Sequence, residues 1–400
     1  MRGVAEAHGR FAQRQIALVT AAARALLNPP DMTRGLELLA ADDPHVERIW
    51  QSLELHAHPS YFLSWGFIRH WLDALPAEER PSLAVICDRG EPTAAFFLAR
   101  RRIRHHLVGE TSALYFNATG SPAHDQLAIE HNGMLAAPGA RRSLAGLLDL
   151  LPDGWDELHL PAVDRYAFDD LGAAPLAAQY RVRIVHEATA PFVDLEMVRT
   201  VDGGYDALLS ATTRTQLARS RGLIGGIDLE IGLDEPHALD IYDELVRLNV
   251  RRWALRGRRG AFADPRFEQF HRQLIQRRLS HGEIQLVRIK AGDATLGCFY
   301  NFVYRGRVSF YQCGLAPLDD PQIKAGYLCH AAAIEYNALA GHSFYDLLGG
   351  RAAYKESLAT GANRLIWLRV RRPLARFSLE DGVRRWYELL LGDRTALAPA

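Results

Sequence analysis

Ile284-Gln-Leu-Val-Arg-Ile289, followed by Gly292-Asp293-Ala294-Thr295-Leu296-Gly297-Cys298-Phe299, is the stretch that decides the fold class of this chain. Two runs rich in β-branched and aromatic residues flank a Gly-acid pair, the pattern of two antiparallel strands joined by a tight turn. The same chemistry occurs earlier: Leu83-Ala-Val-Ile-Cys87 precedes Gly90-Glu91-Pro92-Thr93-Ala94-Ala95-Phe96-Phe97. Both copies read Gly, acid, any residue, Thr, then small and aromatic strand residues.

Outward from the two hairpins the elements keep the same order. A further strand follows, at 113–117 in the first copy and 308–313 in the second, and then a polar loop leads to a helix. Leu144, Leu147, Leu148 and Leu151 line one face of the first helix; Tyr327, Ala331, Ile334 and Ala338 line one face of the second, at spacings of three and four. Each helix ends near glycine, Gly154 or Gly341, and a last strand follows at 155–160 or 342–348. This repeated order predicts a duplicated α/β (α+β) fold: two tandem lobes, each a mixed, mostly antiparallel sheet flanked by helices.

The second lobe opens with helices of its own. Ile241, Leu245 and Leu248 mark the core face of one, while Asp264-Pro265 reads as an N-cap and first turn for another that buries Phe267, Phe270, Leu274 and Ile275. Before the first lobe, residues 1–28 read as helical until Asn28-Pro29-Pro30-Asp31 breaks the pattern. The expected division is an N-terminal helical appendage at 1–44, a first lobe at 45–200, a second at 201–375 and a C-terminal helical tail at 376–400. The turn residues Gly203-Gly204 mark the passage between lobes.

Bulk composition narrows the function classes. The 47 basic and 47 acidic side chains cancel, so no global field favours DNA or an anionic membrane. No apolar run approaches the roughly 20 residues of a membrane span. Cys87, Cys298, Cys313 and Cys329 are widely spaced, which fits neither a disulfide framework nor a zinc site and points to a reducing, cytoplasmic setting. No metal is expected. The only lysines are Lys290, Lys324 and Lys355, so every lysine amine falls in the second lobe.

Four groups of residues carry a resemblance. They are Arg252-Trp253 with Gly257 and Gly260-Ala261-Phe262; Tyr311-Gln-Cys-Gly314-Leu-Ala-Pro317; Gly326-Tyr327-Leu328; and Tyr345-Asp346-Leu-Leu-Gly349-Gly350 with Tyr354-Lys355. In this order they resemble the GNAT acyltransferases, in particular the BioF- and CelD-like acetyltransferase domain, and the tandem arrangement resembles the FemAB-like branch. The first lobe matches more weakly, through Asn117-Ala-Thr-Gly120 and Glu130-His-Asn-Gly133, and reads as a degenerate lobe that shapes substrate. Lys324-Ala325 stands where the family often has Ser-Pro, and Ala218 interrupts the basic run from Arg214 to Arg221.

The resemblance implies an N-acyltransferase that moves an acetyl or other acyl group from acyl-CoA to a small-molecule or carrier-linked amine, in envelope or exopolysaccharide biosynthesis. It also implies that Gln322, Lys324, Ala325, Gly326 and Tyr327 grip the donor's pyrophosphate at a helix N-terminus, where free N–H groups and the dipole favour an anion. Asp346 alternates with apolar Phe344 and Leu348, so its carboxylate needs a partner, for which Lys355 and Arg351 are the candidates. Lys355 would polarise the acyl carbonyl or hold a phosphate, with Asp346 orienting it or accepting the amine proton; alternatively the two form a structural pair. Tyr354 is the candidate to protonate the leaving thiolate. Arg214, Arg252, Trp253 and Tyr311 are the expected substrate contacts. His330 and Glu335 read as ordinary helix residues, and Arg256 to Arg259 as a solvated basic loop. Two other readings stay open: an aminoacyl-tRNA donor, as in peptidoglycan-bridge enzymes of the same branch, and a non-catalytic binding or scaffold protein.

Overall fold

The computed structural model describes residues 34–105, 109–127, 129–350, 352–378, 380 and 382. The chain up to β7 forms β1 (Arg34–Leu39), α1 (Val46–His56), α2 (Trp65–Ala74), β2 (Ser82–Asp88), β3 (Glu91–His105), β4 (Gly109–Phe116), β5 (Leu135–Ala136), α3 (Leu144–Leu150), β6 (Glu157–Asp164) and β7 (Arg181–Asp194). It continues through α4 (Ala211–Ile224), β8 (Asp228–Ile231), α5 (Glu235–Ala254), α6 (Pro265–Arg278), β9 (Ile284–Ala291), β10 (Ala294–Tyr304), β11 (Arg307–Leu315), α7 (Ala325–Leu339), β12 (Phe344–Asp346), α8 (Ala353–Leu358) and β13 (Gly361–Arg371). Short helices link some of these.

The chain divides into two compact units. Of the described residues, one holds those up to Pro59, those within 75–187 and those from Ile366 onward; the other holds those within Ser60–Ala74 and Ala188–Leu365. In the first unit β1, β2, β3 and β4 pair antiparallel in succession, and β6 adds parallel to β4, Ala113 facing Glu157. In the second, β8, β9, β10 and β11 pair antiparallel in succession, and β12 adds parallel to β11, Arg307 facing Phe344. The sequence duplication is thus a duplication of strand pairing. Both hairpin turns use a glycine at positive φ, Gly90 at 82° and Gly292 at 57°, a backbone conformation that side chains disfavour.

Each unit buries its own apolar cluster. Phe96, Leu114, Leu147, Trp155 and Leu160 belong to that of the first unit; Phe299, Phe310, Ile334 and Tyr345 to that of the second. The first-lobe motif residues Asn117 and Asn132 are buried and structural: Asn117 donates to Asn132 Oδ1 at 2.8 Å and to Gly133 O at 2.9 Å, and its Oδ1 accepts from Phe97 N–H. Such a saturated amide pair satisfies the backbone where β3, β4 and the 130–133 loop meet.

The units depart from the sequence division at residues 34–39 and 60–74, and also at 188–200, which belong with the second unit, and 366–375, which belong with the first. Within the appendage expected to be helical, residues 34–39 form a strand because the edge of β2 offers them backbone partners from Asp88 to Leu83 and Leu36 packs on the first core; residues 1–33 lie outside the described residues. Of the tail expected to be helical, residues 383–400 also lie outside them. Residues 60–74 belong with the second unit, where Tyr61 stacks on Phe302 at 4.5 Å between ring centroids and Phe67 meets Phe270 edge-on at 5.9 Å.

Candidate active site

Strand β11 organises the site. Tyr300 faces Gln312 and Asn301 faces Phe310, so Tyr311 is an extra, bulged residue in β11. A bulge inverts which face later side chains point to. Val308 and Phe310 lie on the core face before it; Cys313 and Leu315 return to that face after it. Strand β12 pairs only with residues 307–309 of β11, leaving 310–315 without a β12 neighbour, and α7 starts beyond that free edge. Gly314 lets α5 approach closely: a Cβ there would lie within 2.4 Å of Leu245 O and 2.7 Å of Leu248 Cβ.

The resulting open groove has a volume of about 250 Å³. Apolar Leu248, Leu315, Pro317, Leu318 and Ile323 contribute to its lining, with Arg251 and Arg252 on one side and Ala325 at the start of α7. No side chain caps α7. The Lys324 N–H is taken by Ser220 Oγ of α4 at 3.0 Å, and Lys324 Nζ folds back onto Pro321 O at 2.8 Å. The N–H groups at the very start of α7, in the turn holding Ala325, Gly326 and Tyr327, are therefore the fixed donors at this end of the groove. Gln322 N–H donates to Asp320 Oδ1 at 2.8 Å and shapes the loop. Tyr327 reaches instead to α8, its hydroxyl 2.9 Å from Ser357 Oγ.

Arg252 also lies 3.9 Å from Cys313 Sγ, and Asn249 Nδ2 donates to Cys313 O at 2.7 Å. Burial pushes the Cys313 thiol up, opposed by the charges of Arg252 and Lys355. Tyr354 stacks on the buried His330 of α7, with centroids 5.3 Å apart. Burial is also the main reason that the Tyr354 phenol is held above its usual range, so it keeps its proton. His330 is pulled down to about 3 by burial and then by the Lys355 charge, leaving a neutral imidazole whose Nδ1 has no hydrogen-bond partner among the described residues.

Asp346 is fully buried, and Arg307 Nη1 donates to its Oδ2 at 2.9 Å while Leu348 N–H donates to its Oδ1 at 2.8 Å. Arg307 is thus one partner of this carboxylate, a residue the sequence did not suggest beside Lys355 and Arg351; Arg351 lies outside the described residues. Lys355 Nζ donates to Leu348 O at 3.2 Å and Gly349 O at 2.8 Å. Asp346 and Lys355 together hold the turn in which Leu348 takes φ 58° and Gly350 φ 134°.

The other expected contacts are dispersed. Tyr311 sits among the rings of Phe302 and His271, 4.7 and 4.8 Å away. Trp253 packs against Gly260, where a Cβ would come within 2.4 Å of the indole. Arg214 is exposed on α4 and donates to Asp206 O at 3.4 Å, away from the groove lining. The residues not singled out by sequence are Arg307, Asn249, Cys313 and Ser220. Only Cys313 carried a signal, its place inside the Tyr311 to Pro317 motif.

Residues 211–356 match the family described as the acetyltransferase (GNAT) domain, a span that contains α4, the groove, α7 and most of α8. These residues form a GNAT acyltransferase domain. The tandem fold is also that of FemX, whose crystal structure aligns with a TM-score of 0.55 at 10% identity, over 87% of this chain and 99% of that one. A tandem GNAT protein from the clavulanic acid biosynthesis pathway aligns at 0.42 with 15% identity, over 84% and 98%. L-PGS from Bacillus licheniformis aligns at 0.46 with 12% identity, over 87% and 98%. No curated protein matches the chain by sequence. Among the described residues no helix is long and apolar enough to cross a membrane, and no group of three or more His, Cys, Asp or Glu could hold a metal ion.

Proposed function

We propose that this GNAT acyltransferase takes its acyl group from a CoA thioester and passes it to an amine on a small or carrier-linked acceptor. The observation that carries this reading is the uncapped start of α7 opening onto a groove with two arginines on its far side. A pyrophosphate needs several fixed donors and positive charge, and a pantetheine arm needs an apolar slot; the residues present fit both.

Beyond the groove, the residues around the free edge of β11 support the chemistry. Lys355, anchored on two carbonyl oxygens, keeps a positive charge where the carbonyl oxygen of the thioester would gain charge as the amine attacks. Tyr354 retains its proton and can deliver it to the departing thiolate sulfur, while the stacked His330 fixes its ring. Asp346, which accepts from Arg307 and from Leu348 N–H, acts by holding the turn that carries Lys355. An aminoacyl-tRNA donor is the second reading, favoured by the exposed Arg256, Arg258 and Arg259 beyond the groove. The groove itself, sized for a small-molecule arm, favours CoA.

Gly326→Asp tests the donor site. A carboxylate in the first turn complements the helix dipole, so α7 is stabilised by about 0.3–1 kcal/mol, while the pyrophosphate is repelled. Acetyl-CoA affinity is expected to fall at least about tenfold with no loss of thermal stability. Gly326→Ala, whose Cβ would sit 3.4 Å from Leu315 Cδ1, is expected to bind as wild type. Equal affinity in Gly326→Asp and wild type would refute this donor site.

A further inference from the structure

The first unit contains a second pocket, which the acyl-transfer reading does not use. In β6, β13 and β7, neighbours in the sheet, Leu158, Leu160, Leu368 and Val370 are buried in the core of this unit and Val182 packs against it. Alternation turns His159, Arg369 and Arg183 to the opposite face. There, together with Val185, they line a pocket of about 240 Å³. Tyr115 of β4 stacks on His159, centroids 4.8 Å apart and 12° from parallel, and so fixes the imidazole plane.

The charge balance of this pocket is unusual for a merely solvated face. Glu157 is fully buried, yet its charge is already used: Oε1 accepts from Thr111 and faces His105 Nε2 at 2.5 Å, and Oε2 accepts from Arg371 at 3.2 Å and lies 3.5 Å from His159 Nε2, which leaves Nδ1 as the His159 atom for a ligand. Glu380 also pairs with Arg371, at 3.0 Å. Arg183 and Arg369, by contrast, make no hydrogen bond or ion pair with any described residue. Arg183, Arg369 and Arg371 against Glu157 and Glu380 leave one positive charge in excess even with both histidines neutral. Burial, and then the nearby Arg371, pull the Arg369 guanidinium below the usual arginine range. Arg183 is exposed, but a half-buried guanidinium such as that of Arg369, held beside other positive charges, is unfavourable unless an anion joins it.

We propose that the pocket formed by His159, Arg183 and Arg369 binds the phosphate group of a phosphorylated ligand. Two guanidinium forks and an imidazole converging from three adjacent strands suit a tetrahedral dianion, which offers more acceptor sites than a carboxylate. The proposal is independent of the donor assigned to the other unit.

The test uses the full chain in phosphate-free buffer, with inorganic phosphate as the probe and the His159 imidazole resonance, identified through His159→Gln, as a readout local to this pocket. Saturable movement of that resonance is expected, with affinity weakened about tenfold or more in Arg369→Gln and unchanged in Arg102→Gln, which removes an exposed charge of the same unit. Because Arg369→Gln relieves like-charge crowding, it is expected to melt no lower than wild type without phosphate, whereas phosphate raises the melting temperature of wild type only. A static His159 signal at high phosphate, equal phosphate affinity in Arg369→Gln, or a lower melting temperature of that variant in phosphate-free buffer would each overturn the proposal. Movement with acetate or citrate but not with phosphate would overturn the phosphate assignment.

Discussion

Gly314→Ala perturbs the contact on which the geometry of the second unit depends. The new methyl would lie 2.4 Å from Leu245 O, a backbone atom that cannot rotate away, and 2.7 Å from Leu248 Cβ. Restoring an ordinary contact requires α5 to retreat from β11 by about 1 Å. Overpacking of this kind costs about 1–3 kcal/mol, and a clash against backbone belongs at the upper end. At about 2–4 °C per kcal/mol for a unit of this size, the melting temperature should fall by about 6–12 °C. Since α5 carries Arg251 and Arg252 to the groove, donor affinity should fall as well. The assay is urea-dependent labelling of Cys298 and Cys329, both fully buried in this unit, alongside acetyl-CoA titration. Wild-type stability and affinity in Gly314→Ala would refute the claim that backbone approach at Gly314 sets the groove.

Asp346→Ala should destabilise the same unit by about 2–3 kcal/mol, below the cost for a fully buried pair because Arg307 is one-third exposed and can regain water; Asp346→Asn, which keeps an acceptor for Leu348 N–H, should cost less, and urea midpoints compare the two. His330 gives an acid-sensitive term: its folded value of about 3 lies below the usual 6.5, so the unfolded chain binds the extra proton, and this contribution is full above pH 6.5 and is lost as pH falls toward 3. The slope is at most about 1.4 kcal/mol per pH unit, and His330→Leu should flatten the stability profile across that window. Tyr354→Phe keeps the ring stack on His330, so acyl-CoA affinity should hold while the rate of transfer drops about 100-fold; an unchanged single-turnover rate would remove Tyr354 as proton donor.

The parts of this structure legible in the sequence are those governed by local chemistry. Gly90 and Gly292 announce hairpins because few other residues accept positive φ, and Asp264-Pro265 announces α6 because the Asp264 carboxylate caps Arg266 N–H at 3.0 Å. The leucines at 144, 147 and 148 predict a buried helix face, and all three are buried. What sequence did not reveal depends on contacts between distant residues. The bulge at Tyr311 is visible only in the register with β10, and with it the return of Cys313 to the core face. The allegiance of residues 60–74 depends on rings at Phe302 and Phe270, more than 190 positions away. Arg307 finds Asp346 because β11 and β12 run parallel with Arg307 beside Phe344, which brings Asp346, two residues further along β12, within reach of its guanidinium.

For the candidate site the division is similar. The motif around Gly326 identified the helix start, but the loop's own partners, Ser220 for the Lys324 N–H and Pro321 O for its ammonium, come from packing that no spacing encodes. Arg214 and Arg252 looked equivalent as basic residues within matched segments, yet only Arg252 borders the groove.

The most direct test of the central claim is calorimetric titration of the purified, folded chain with acetyl-CoA and with desulfo-CoA. Saturable binding of one equivalent of each is expected, because the groove and the start of α7 would engage the nucleotide and pantetheine rather than the sulfur. Absence of binding to the folded wild-type chain would contradict a CoA donor and leave aminoacyl-tRNA as the donor to be tried.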